Sequence, residues 1–232
     1  QYEIFDREQC VDPRENSNFA PCQAPRVYVH GADQRYKYIT LPSFFDELVG
    51  GAHADFKAEG AFDGIIDTYR KAGVQLLSIG VQGFSGNEAT ERKYFEFAKK
   101  AGCTTISANF AIDSIPASFR VAEKLADEFN MNLAIHNHGG RHWLGNSDTL
   151  GWVFKQTSPR IGLMLDTAWA LAAHEDPLAW VEKFAQRLYG VHVKDFLFDP
   201  AGKHRDVVIG TGNLDLPKLL ATMNKVGFKG NF

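Results

Sequence analysis

The residues with the most chemical reach in this chain lie in Leu133–Gly140, which reads Leu-Ala-Ile-His-Asn-His-Gly-Gly. Residues two apart in a strand leave the same face, so a strand ending here would present His136 and His138 together. The apolar run Ile161–Asp166 ends in a carboxylate, and Tyr189–Asp195 carries His192 followed by Lys194 and Asp195. Imidazole plus carboxylate is a ligand set for Mn²⁺, Zn²⁺, Fe²⁺ or Co²⁺, and it leaves positions open for a substrate diol or enediolate. A single histidine at a strand end is more often a local hydrogen-bonding residue. Four candidate ligands (His136, His138, Asp166 and His192) at the ends of three successive apolar runs favour a shared site. Which imidazole of the first run holds the metal, and which acts as base or meets the substrate, stays open at this level. Asn137, between them, should point into the wall behind the strand as a structural hydrogen-bonder.

Around these residues stand weaker candidates. Lys194 shares the side of His192; it either stabilises an oxyanion or is an ordinary solvated lysine. Trp169, Trp143 and Phe84 are expected in βα loops, where they would form an apolar wall against sugar C–H faces or serve as core or lid aromatics. His30, His53, His142, His174 and His204 are isolated and read as surface or loop residues. Gly210-Thr-Gly212 with Asn213 is a tight turn, too short for a phosphate loop.

The elements that must position these groups follow a regular period. Strand-like runs begin near residues 74, 104, 132, 161 and 190. Between them lie helical patterns at 62–72, Glu88–Ala101, Ile115–Phe129, Asp148–Gln156 and Pro177–Arg187, and another follows at Pro217–Val226. The Lys-Ala-Gly endings at Lys71–Gly73 and Lys100–Gly102 suit helix C-termini, and Asp176-Pro177 suits a helix start. A strand–helix repeat of about 30 residues predicts a (β/α)₈ TIM barrel, whose ~250 residues divided by eight give nearly this period. Catalytic groups then gather at the C-terminal ends of the strands, where the candidate ligands sit. A doubly wound open sheet is the rival, but no glycine-rich phosphate turn follows any strand. Residues 1–25, with Pro13, Pro21 and Pro25, read as an N-terminal arm or irregular segment, and 26–232 as the barrel domain. Short strands are expected at Arg26–His30 and Tyr36–Leu41.

Composition sets the outer bounds. The chain has 232 residues, 44% of them hydrophobic and 23% charged, as in an ordinary globular protein. A net charge of −3 gives no reason to expect nucleic acid or an anionic membrane as a partner. No apolar run approaches the ~20 residues needed to span a bilayer. Three cysteines cannot build a disulfide scaffold, and Cys103 reads as a small core residue. The cytoplasm is the expected location, with a periplasmic or secreted one as the alternative because the chain begins at Gln1 rather than Met. Oligomeric state is left open, a homo-oligomer included.

Taken together, Leu133–Gly139 (LAIHNHG), Gly162–Ala170 (GLMLDTAWA), the stretch ending in Tyr-Gly-Val-His-Val-Lys-Asp at Asp195, and Val208–Phe232 resemble the sugar phosphate isomerase/epimerase family, the xylose isomerase-like TIM barrels. The resemblance covers roughly residues 62–232. It implies a divalent metal held by strand-end carboxylates and histidines, and proton transfer at a carbon next to a carbonyl. Asp166 and His192 fall on family metal ligands, His136 falls where many members have a Glu, and His138 matches the second His of that motif. Members usually carry a further Glu ligand shortly after the Gly-Phe-x-Gly found here at Gly227–Gly230, so the natural polypeptide is expected to continue past Phe232 with such a strand. Many also have His where this chain has Trp169. The implied activity is a metal-dependent isomerase or epimerase acting on a sugar or keto-sugar through an enediolate. The alternatives are a keto-sugar or inosose-type dehydratase or lyase on the same scaffold, and a catalytically inactive sugar-binding barrel. Phosphodiesterase chemistry, as in endonuclease IV relatives, would want more ligands and a basic face.

Overall fold

The computed structural model describes residues 38–41 and 61–232; the expected arm over 1–25 and the strand at 26–30 lie outside them. Six parallel strands form one sheet in sequential order: β1 (Tyr38–Leu41), β2 (Gln75–Phe84), β3 (Thr105–Phe110), β4 (Asn132–His136), β5 (Ile161–Asp166) and β6 (Leu188–His192). Parallel neighbours need crossovers, and helices supply them. They are α1 (Ala61–Lys71), α2 (Glu88–Ala101), α3 (Ala117–Phe129), α4 (Ser147–Gln156), and the pair α5 (Thr167–Ala172) and α6 (Pro177–Lys183). Beyond β6 the chain makes an antiparallel hairpin, β7 (Asp195–Phe198) with β8 (His204–Val207), and then α7 (Leu216–Lys225). Asn231 pairs in parallel with Gly190 on the outer edge of β6. This is the arc of a TIM barrel with its helices outside, as the 30-residue period predicts.

Helix ends follow local chemistry. Asn87 accepts from the Thr90 N–H to open α2, and Gly102, at φ 82°, closes it. Asp176 accepts from Leu178 N–H ahead of Pro177 to open α6. The expected single helix over 177–187 is α6 followed by a short 3₁₀ turn at Ala185–Arg187. There Arg187 donates to the carbonyls of Phe154, Thr157, Ser158 and Ile161, collecting carbonyls at the end of α4 and the start of β5.

The two faces of the sheet differ in chemistry. Ile79, Ile106, Leu133 and Ile161 lie in register, as do Ala108, Ile135 and Leu163, and all are buried in the apolar layer under the helices. The alternate positions face the barrel interior. They are Ser78, Thr105, Ser107, Ala134, Gly162, Met164 and Gly190, with His136, Asp166 and His192 at the upper end. Apart from Met164, the interior positions below the strand ends are small or polar, and the candidate ligands sit at the C-terminal strand ends.

Candidate metal centre

His136 is the last residue of β4, Asp166 of β5 and His192 of β6, and Asp166 is level with His192 in the sheet register. One ligand atom from each can be chosen so that all three lie within 4.8 Å of one another. The His136 Nε2 atom is 3.5 Å from Asp166 Oδ2. Asp166 divides its oxygens: Oδ1 accepts from the Trp169 N–H at 3.0 Å as the cap of α5, which leaves Oδ2 toward His136.

Parallel strands splay at their ends, and two side chains continue the ladder where the backbone stops. Asn137, wholly buried, donates Nδ2 to the Asp166 carbonyl at 3.0 Å and accepts the Asp166 N–H at 2.7 Å. Thr167 Oγ1 accepts the Lys194 N–H at 2.9 Å and donates to the Lys194 carbonyl. Each follows directly on a candidate ligand in sequence, so β4, β5 and β6 are tied to one another just where the three ligands leave them.

The donor set suits a divalent ion. Two imidazoles and a carboxylate form a three-point face with room for further ligands. His136 Nδ1 is buried and has no hydrogen-bond partner among the described residues. Burial, with His136 nearby, pushes His192 down to about 4, so its ring is neutral at pH 7 and its lone pair is free for a metal. The residues present therefore fit a metal ion, and His136, Asp166 and His192 would hold it.

The remaining sequence candidates separate. His138 is not brought within the triad, but its ring lies 4.9 Å from that of His136. Burial first, then the charges of His136 and His142, push it down to about 4. His142 does not behave as an isolated loop residue: its ring is 4.6 Å from that of His138, and its Nδ1 accepts the Leu144 N–H. Lys194 forms an ion pair with Asp206 of β8 at 2.9 Å and lies over the rings of Trp169 and Phe196, at 5.2 and 4.8 Å. Trp169 stands on α5 rather than in a loop, against Phe196 and His204 of the hairpin. Gly139 makes that placement feasible, since a Cβ there would come within 2.7 Å of the indole. Trp143 donates Nε1 to the Phe110 carbonyl at 2.9 Å and so spans the end of β3. Phe84 is placed elsewhere: it is in register with Phe110 on the helix side of the sheet, packed against Tyr94 and Phe95. Its expected place in a substrate wall is thereby corrected, because strand alternation at the end of β2 turns it outward.

Two arrangements had no clear sequence signal. The hairpin β7–β8 lies in a stretch to which the sequence pattern assigns no element. Asp195, fully buried, accepts the N–H groups of Gly210, Gly212 and Leu214, so it organises the Gly-Thr-Gly turn instead of facing a ligand.

A profile of the xylose isomerase-like TIM barrel family matches residues 61–232. The chain belongs to this family. An inosose dehydratase from Geobacillus thermodenitrificans is 24% identical over 246 aligned positions, covering 97% of this chain and 80% of that protein. Among solved structures, a xylose isomerase domain protein from Planctomyces limnophilus superimposes with a TM-score of 0.65 at 19% identity, over 84% of this chain and 78% of that one. An IolI protein with a bound zinc atom gives 0.63 at 15% identity, over 84% and 77% of the two chains. At these identities the two structural likenesses concern the fold. The scaffold is that of a sugar-processing enzyme family, and among the described residues no helix is long and apolar enough to cross a membrane.

Proposed function

We propose that this protein is a divalent-metal-dependent isomerase or epimerase of a sugar or keto-sugar, working through an enediolate. The observation that carries the reading is the convergence of His136, Asp166 and His192 at adjacent strand ends. A divalent ion bound there would supply charge neutralisation for the enediolate oxygens. His136, Asp166 and His192 would fix its position, with Asn137 and Thr167 fixing theirs. His138 is the group we assign to proton transfer. It is neutral at pH 7, half-buried beside His136, and not needed to complete the triad. Trp169 and Trp143 would bound the substrate on its apolar faces. Lys194 is committed to Asp206 and two aromatic rings, and we assign it to holding the hairpin at the mouth.

A second reading has a specific observation behind it: the alignment with an inosose dehydratase spans 97% of this chain. A dehydratase would form the same enediolate and then expel a hydroxyl from the neighbouring carbon. Incubation of the metal-loaded protein with keto-sugars and with an inosose in D₂O separates the two. Exchange of the carbon-bound proton without elimination gives isomerase or epimerase, and loss of water gives dehydratase. If the purified protein holds no transition metal, and Asp166→Ala and His192→Ala leave its behaviour unchanged, both readings fail and an inactive sugar-binding barrel remains.

A further inference from the structure

Next to the triad, β3 carries two buried polar atoms that no hydrogen bond explains. Ser107 Oγ and Asn109 Oδ1 are both sequestered without a partner among the described residues. Ser107 is in register with Ala134 and so faces the barrel interior, on the side from which His136 projects two residues further along β4. Asn109, two residues beyond Ser107, faces the same way at the level of His136. Phe110 turns to the opposite side, where it packs on Phe119 of α3. Its carbonyl is the acceptor for Trp143 Nε1, so that indole lies over the strand end just past Asn109.

Buried polar groups in folded proteins are almost always paired, and an unpaired amide oxygen costs stability. An acceptor of this kind beside a candidate site calls for a partner that the described residues do not supply, a water or a ligand. An amide oxygen is a neutral acceptor, suited to an O–H donor and poorly suited to a phosphate. We propose that Asn109, with Ser107 beneath it, is a specificity residue that receives a hydroxyl of an uncharged polyhydroxy ketone, with Trp143 covering the adjoining C–H face. This rests on the sugar-processing reading above and narrows its substrate class to unphosphorylated polyhydroxy ketones.

The test uses Asn109→Leu, which keeps the volume and removes the polarity. Without ligand, this variant is expected to melt a few degrees higher than the wild type, because a buried unpaired acceptor is gone. A residue with only a structural role would give a lower melting temperature. With metal-loaded protein, an inosose and D-fructose are the neutral probes and fructose 6-phosphate is the charged one. The wild type is expected to be stabilised by a neutral probe more than by the phosphate, and Asn109→Leu to weaken the apparent Kd for that probe about tenfold. Asn109→Ala serves for the binding arm if the leucine variant does not fold. The proposal is overturned if the variant melts lower and binds equally well, if the phosphate is preferred, or if no neutral probe stabilises the wild type. Failure of the metal reading is separate: it would show as unchanged metal content in Asp166→Ala, whatever Asn109 does.

Discussion

Asn137 and Asp166 are joined by a reciprocal pair of hydrogen bonds, side-chain amide to backbone amide, across the gap where β4 and β5 part. The amide imitates one more residue of parallel pairing, and it acts on the backbone of the carboxylate that faces His136. Asn137→Leu keeps the volume and removes both bonds. It should destabilise the fold by about 2–3 kcal/mol, since two backbone groups are left buried and unpaired. Metal affinity should fall about 10–100-fold, the usual cost of losing a group that orients a ligand. Denaturant unfolding and metal titration measure the two effects separately.

Removal of the ligands themselves should act on metal and little else. Asp166→Asn retains an oxygen for the Trp169 N–H and so keeps the cap of α5. It should fold like the wild type while losing stoichiometric metal, and His192→Ala should lose metal as well. Metal analysis after dialysis checks both; retention of a full equivalent by either variant would contradict the triad.

The pH dependence has a definite sign. His138 and His192 are held down to about 4 in the folded chain, mainly by burial, whereas an unfolded histidine titrates near 6.5. The unfolded chain therefore binds more protons between about pH 6.5 and 4. Stability is full above about pH 6.5 and is lost as pH falls toward 4. Urea midpoints of metal-free protein should drop over this window, and His138→Gln should make the drop shallower. A flat profile would show that the rings are not buried as described.

Arg187 offers a control away from the chemistry. Its guanidinium donates to four backbone carbonyls around the end of α4 and the start of β5. Arg187→Met should cost about 3 kcal/mol or more, because charged hydrogen bonds are lost and the carbonyls lose their partners. Metal affinity at neutral pH should change less than threefold, as read by metal titration of the folded fraction.

Lys194 separates two roles. Its ion pair with Asp206 and its position over Trp169 and Phe196 assign it to the hairpin. Lys194→Met should then lower stability by no more than about 1 kcal/mol and turnover by less than tenfold. A loss of turnover near a thousandfold with unchanged KM would instead make it the oxyanion group.

The sequence by itself determined the period, the barrel class and the set of candidate ligands. Apolar runs spaced by one strand–helix unit leave few topologies, and a run closed by Asp166, or by a short stretch holding His136 and His138 or His192, places those residues near the strand's C-terminal end. Glycine, proline and aspartate fixed helix ends such as Gly102 and Asp176 because their preferences act within a few residues. Only the tertiary structure separates His136 from His138. Strand alternation put both on one side, but β4 ends at His136, and only the register with β5 and β6 brings that ring to Asp166 and His192. The same holds for Phe84, turned to the helix layer, and for Lys194, held by a hairpin that pairs Asp195 with Val207 and Phe196 with Asp206. It also holds for Asn109. An asparagine near a strand end is unremarkable in a sequence, and its unpaired oxygen exists only once neighbouring strands have closed around it. Local chemistry is written along the chain, whereas partnership and its absence depend on what folding brings alongside.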